Sequence, residues 1–166
     1  MEIMKEMSIF LLFLGLFSCN KLCPPPDLRT SRQDNLGSNI RLDGLYYNRD
    51  NQFFLYRNGI YRTACGDPNI KSIPDKFKCN IDWEEFLTLS KKDRAQWRLY
   101  IVKNDTIYIE QWGLVSDCAY EVFSYNGKIL NDTTLLIPIN RQGIVLDTFH
   151  FVRFSPKPDS INQFIK

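Results

Sequence analysis

Five cysteines, Cys19, Cys23, Cys65, Cys79 and Cys118, and a single histidine, His150, carry the sharpest intrinsic chemistry in this 166-residue chain. A zinc site would need ligands at short, regular spacing, but no Cys-x-x-Cys pair is present and His150 sits between Phe149 and Phe151 in a strand-like run. Nucleophilic catalysis would need a base beside an activated serine or cysteine. One histidine and no Gly-x-Ser-x-Gly elbow offer no such constellation. Glycine-rich phosphate loops and calcium-type acidic spacings are absent too. Asp82, Glu84 and Glu85 form a carboxylate cluster, but acidic residues in the first turn of a helix are favoured by the helix dipole alone. One route to catalysis stays open, since carboxylates from different strands can meet in a barrel mouth. The expectation is a non-catalytic protein without metal or cofactor.

Cys19 has a different context. The apolar run Ile9 to Phe17 is too short for the roughly 20 residues of a membrane-spanning helix and suits the core of a cleaved signal peptide. Leu16-Phe17-Ser18-Cys19 at its end resembles the lipobox of bacterial lipoproteins. The resemblance implies cleavage before Cys19, diacylglycerol on its sulfur, and a membrane partner reached through that lipid. It also implies a cell-envelope location, and Asn20 in the second mature position points to the outer membrane of a Gram-negative cell. Residues 1–18 are then the signal peptide. Residues 19–39, with Pro24-Pro25-Pro26 and little hydrophobic periodicity, are expected to be a tether.

Assigning Cys19 to lipid leaves an even number of thiols, Cys23, Cys65, Cys79 and Cys118. In an oxidising compartment these can pair as two disulfides. Cys65 with Cys79 is the first expectation, because a bridge there would staple the turn-rich stretch 66–74. Basic and acidic residues number 21 and 19 and are scattered, so no field recruits nucleic acid.

From Arg41 onward, short aromatic and β-branched runs alternate with turn dipeptides, the pattern of antiparallel hairpins. Asn58-Gly59 and Asn126-Gly127 have the chemistry of type I′ turns, and Lys103-Asn104-Asp105 suits another short loop. About eight strands are expected over residues 40–155, with one short helix after Asp82. Several strands are apolar on both faces: Trp97, Leu99 and Ile101 alternate with Arg98, Tyr100 and Val102. The fold class is therefore mostly β, an antiparallel meander forming a small barrel or sandwich, with residues 156–166 as a polar tail. The meander weakly resembles the lipocalin-like group of eight-stranded barrels, with Gly44-Leu45-Tyr46 as the nearest echo of their first-strand signature.

Tyr and Trp residues lie on nearly every strand, among them Tyr56, Tyr100, Tyr108 and Trp112. Such side chains suit ligand pockets and interfaces, and equally a small barrel's own core. Two functions follow. A module that binds a small ligand predicts a cavity of roughly 300 Å³ or more. A structural subunit that docks on another envelope protein predicts a filled core and an exposed aromatic patch above roughly 400 Å².

Overall fold

A computed structural model describes residues 25–35, 39–64, 83–116, 119–139, 145–155 and 157–166. Eight antiparallel strands form a meander that closes on itself: β1 (Gly44–Tyr47), β2 (Gln52–Leu55), β3 (Ile60–Ala64), β4 (Trp97–Lys103), β5 (Thr106–Ser116), β6 (Ala119–Asn131), β7 (Thr134–Pro138) and β8 (Leu146–Arg153). Closure is made by β1 against β8, with Tyr46 opposite Phe151. One helix, α1 (Trp83–Lys92), and a 3-10 turn (Arg94–Gln96) lie between β3 and β4. The Asp82 cap expected for α1 falls outside the described residues, as do all five cysteines and hence the lipid and disulfide assignments.

Alternation along each strand builds two cores. Tyr46, Phe53, Leu55, Tyr61, Tyr100, Ile107, Ile109 and Phe149 share the interior cluster, while Leu45, Phe54, Ile60, Trp97, Leu99 and Trp112 share a second cluster on the outer face. Removing a large apolar side chain from water contributes roughly 1.5–3 kcal/mol, so this outer face needs a cover. The chain's own flanks provide it. Leu28 packs there from one flank and Phe154, Phe164 and Ile165 from the other.

The stretch expected as a free tether is therefore bonded to the barrel over residues 25–35. Trp112 Nε1 donates to Pro26 O at 2.7 Å, Thr30 N to Glu110 Oε2 at 2.8 Å, and Asn35 N to Arg57 O at 2.7 Å. The C-terminal segment is equally well anchored. Lys157 Nζ donates to Leu42 O and Leu55 O, and Arg62, buried on the outer face, reaches Asp159 O at 3.2 Å, Leu87 O at 3.3 Å and Ser90 Oγ. Together with Trp97 Nε1 donating to Ser90 O at 2.9 Å, Arg62 fastens the carbonyl end of α1 to the barrel wall.

Two turns differ from expectation. Of Asn58 and Gly59 only Gly59 takes a left-handed φ, 78°, Gly59 N donates to Tyr56 O at 3.0 Å, and residues 57–59 form a three-residue loop in place of a two-residue type I′ turn. Asn126-Gly127 is no turn. It lies inside the thirteen-residue β6, opposite Tyr108 and Ile107 of β5. A β carbon on Gly127 would lie 2.7 Å from Leu136 O and 2.9 Å from Ile107 Cγ2, so glycine is required there by crowding, not by reversal of the chain.

Candidate functional site

The two ends of the barrel are finished differently. At one end the chain entering β1 forms a plug: Ile40 joins the interior cluster, Leu42 packs against it, and Arg41 N donates to Asp132 O at 3.0 Å. Tyr46 Oη sits 3.1 Å from both Arg41 O and Asp132 O, which locks that plug from inside. The opposite end carries the β1–β2 turn, the facing ends of β7 and β8, and the 3-10 turn. There a cavity of about 280 Å³ enters the barrel, with exposed Asn51, Ala95 and Ile139 at its rim.

Local sequence chemistry shapes the rim. Asn48 Oδ1 accepts from Asp50 N at 3.0 Å and Asn51 N at 2.6 Å, and its Nδ2 donates to Asp147 Oδ2 at 2.8 Å, tying the β1–β2 turn to β8. Asp93 Oδ1 accepts from Ala95 N at 2.9 Å and starts the 3-10 turn. Arg94 beside it stacks over both Trp112, at 4.9 Å, and Phe164, at 5.1 Å, which fastens this rim segment to the C-terminal strap. Ile139 at this end is exposed and gives the opening an apolar rim residue.

The cavity walls are Tyr61, Thr63, Arg98, Gln111, Tyr125, Ile137 and Phe149. Register explains the convergence: Arg98 lies opposite Tyr61 on one side and Gln111 on the other, and all three point inward with Tyr125. The Arg98 guanidinium stacks 4.7 Å over the Tyr61 ring, and its one hydrogen bond among the described residues runs from Nη1 to Tyr125 Oη at 3.0 Å. Tyr125 Oη in turn lies 3.5 Å from Gln111 Oε1. Arg98 Nε is buried with no partner, and so is Thr63 Oγ1.

No described carboxylate lines the cavity, and none acts on Arg98. Burial opposes its charge, the adjacent Tyr61 and Tyr125 favour it, and the net direction of its pKa is upward, so Arg98 is a cation. The tyrosines supply no counter-charge, since burial pushes both of their hydroxyl pKa values up and keeps them neutral. Arg98 is half-buried with its Nε enclosed, so it bears only part of the several kcal/mol that full burial of an unpaired ion costs, against a cation–π contact returning roughly 0.5–2 and one charged hydrogen bond roughly 1.5–3. The protein supplies this cation with no anionic partner among the described residues.

A second hollow, about 530 Å³, lies between Asn35, Ile40, Leu42, Asp43, Tyr56, Arg57 and Lys157 at the plugged end. It is larger but chemically quieter. The Lys157 amine, whose pKa burial pushes down to about 8, already serves two backbone carbonyls and stacks 4.2 Å over Tyr56. Chemistry, not volume, singles out the Arg98 cavity.

The four aromatics singled out from sequence do not converge. Tyr56 belongs to the outer core, Tyr100 is buried in the interior with its hydroxyl on Tyr56 O at 2.7 Å, Tyr108 is exposed on the outer face, and Trp112 packs outward while bordering the cavity. Arg98, Tyr61, Tyr125 and Thr63, which do converge, were visible only as polar residues in the inward register of β3, β4 and β6. His150 is exposed and 6.4 Å from the Tyr47 ring, and no cluster of potential metal ligands occurs among the described residues. No described helix is long and apolar enough to cross a membrane.

No family model, curated protein or solved structure matches the chain.

Proposed function

We propose that this chain is a lipid-anchored protein of the bacterial cell envelope whose barrel binds a small ligand without catalysing its conversion. The observation that carries the reading is a barrel plugged at one end and hollow at the other, with buried Arg98 Nε and Thr63 Oγ1 left unpartnered in the hollow wall. Buried polar groups are ordinarily satisfied, so such atoms lining a cavity mark a site completed by something else. At about 280 Å³ the cavity falls just short of the roughly 300–1,000 Å³ range of ligand pockets, which limits the ligand to a compact molecule. A docking subunit with a filled interior accounts for neither feature. The lipobox-like residues ending at Cys19 support the anchor and the envelope location, and the meander supports the likeness to lipocalin-like barrels.

Native mass spectrometry of protein purified from its envelope fraction tests both halves. The wild type is expected to carry acyl chains and a retained small molecule. Cys19→Ala loses the acyl mass, and Ala95→Trp, which places an indole over the rim, loses the small molecule. A bare wild-type mass identical in form to both variants overturns the proposal.

A further inference from the structure

We infer that the cavity ligand is a compact organic anion whose carboxylate-type head is held by Arg98, with Tyr125 and Thr63 as neutral partners and an apolar body against Ile137 and Phe149. This inference rests on the ligand-binding reading and names the ligand's class.

Charge bookkeeping on the cavity wall carries it. Arg98 lies inside a barrel whose described cavity wall holds no carboxylate, and the protein uses one guanidinium hydrogen bond out of the five N–H donors that arginine possesses. The ring of Tyr61 covers one face of the guanidinium, so the donors in its plane are what remain. A planar oxyanion matches that fork, whereas a neutral or cationic ligand leaves the charge uncompensated. Tyr125 Oη already accepts from Arg98 and lies within reach of Gln111, so the fork is held in place before any ligand arrives. Thr63 Oγ1 adds a hydroxyl able to donate to an oxyanion. Beyond this polar patch lie the apolar Ile137, Pro138 and Phe149, and exposed Ile139 continues that character at the mouth. An amphiphile entering head first satisfies both halves.

Calorimetric titration of the purified mature protein with octanoate and with 1-octanol as its uncharged counterpart tests the class, and inorganic phosphate tests whether an oxyanion without an apolar body suffices. Octanoate is expected to bind about tenfold or more tightly than octanol, the margin of a charged hydrogen-bond pair. Arg98→Met removes that preference, and Arg98→Lys, which keeps charge without the fork, retains part of it. Phosphate is expected to bind more weakly than octanoate. Equal binding of octanol and octanoate, blocked by Ala95→Trp, overturns the anion class and leaves the ligand-binding reading standing. Phosphate binding as tight as octanoate overturns the apolar-body half of the inference. Octanoate binding untouched by Arg98→Met overturns the role of Arg98. Failure of all three probes to bind overturns the inference, while a small molecule retained by the wild type in native mass spectrometry leaves the ligand-binding reading standing.

Discussion

Arg62 and Arg98 occupy neighbouring rungs of the same β3–β4 ladder and make the same first contact on opposite faces of the barrel wall. Arg62 lies opposite Trp97 and stacks on it at 4.8 Å, while Arg98 lies opposite Tyr61 and stacks on it at 4.7 Å. Beyond that point they diverge. Outside, Arg62 meets two backbone carbonyls and a serine hydroxyl and ties α1 and the C-terminal strap to the barrel. Inside, Arg98 meets one tyrosine hydroxyl and otherwise borders a cavity. Nε lacks a partner in both, but Arg62 is fully buried and its other nitrogens meet three acceptors, whereas Arg98 is half-buried with one neutral acceptor beside a hollow, and the proposed binding role rests on that contrast.

Substitution is expected to separate the two sharply. Arg62→Ala should cost about 3 kcal/mol or more in urea denaturation, because it removes three charged hydrogen bonds and frees both α1 and the strap. A loss no larger than that of an ordinary surface change would break the comparison. Arg98→Met should instead leave the ligand-free protein unchanged or raise its stability by up to about 2 kcal/mol, since a methionine can fill the space without the unpaired charge. A destabilisation matching that of Arg62→Ala would make Arg98 structural.

Lys157 sharpens the same contrast through pH. Its folded pKa is lowered to about 8 from 10.5 by burial, so between those values the unfolded chain holds a proton that the folded chain has released. Stability of the wild type should therefore rise with pH across that window relative to Lys157→Met, as followed by thermal denaturation at pH 7.5 and pH 10. A flat difference would mean that the strap amine is already hydrated. The smallest effect belongs to Asp43, bonded to Arg41 at 2.7 Å and to Arg153 at 3.4 Å in an exposed cluster. The Arg41 hydrogen bond lowers its pKa from 3.8 to about 2, so its contribution is present above pH 4 and lost as pH falls through 2. Asp43→Asn should cost less than about 0.5 kcal/mol at pH 7, a difference that vanishes in acid.

The barrel was legible in the sequence because each strand's alternation is a local property. Trp97, Leu99 and Ile101 against Arg98, Tyr100 and Val102 announced two covered faces before any partner was known. The Asn126-Gly127 turn was misread because the dipeptide's local chemistry is the same in a reversal and in a continuous strand; what decides is Ile107 and Leu136 arriving from distant β5 and β7 to occupy the space a β carbon would take. The packing of the flanks on the barrel is not legible in their sequence for a similar reason. A few anchors, Leu28, Phe164 and Ile165, hold segments whose average composition is polar. As for the site, Arg98 stood in the inward register, but whether an inward face is filled or hollow depends on closure of the barrel. Tyr61 and Tyr125 become its neighbours only through cross-strand pairing, which no single strand encodes.

The most direct test is a crystal structure of the protein soaked with octanoate. The carboxylate is expected inside the barrel, within hydrogen-bond distance of the Arg98 guanidinium, with the alkyl chain along Ile137 and Phe149 towards the mouth. Octanoate lying in the cavity with its carboxylate turned away from Arg98, or bound at another site while the cavity stays free of it, would rule out Arg98 as the anion-binding group.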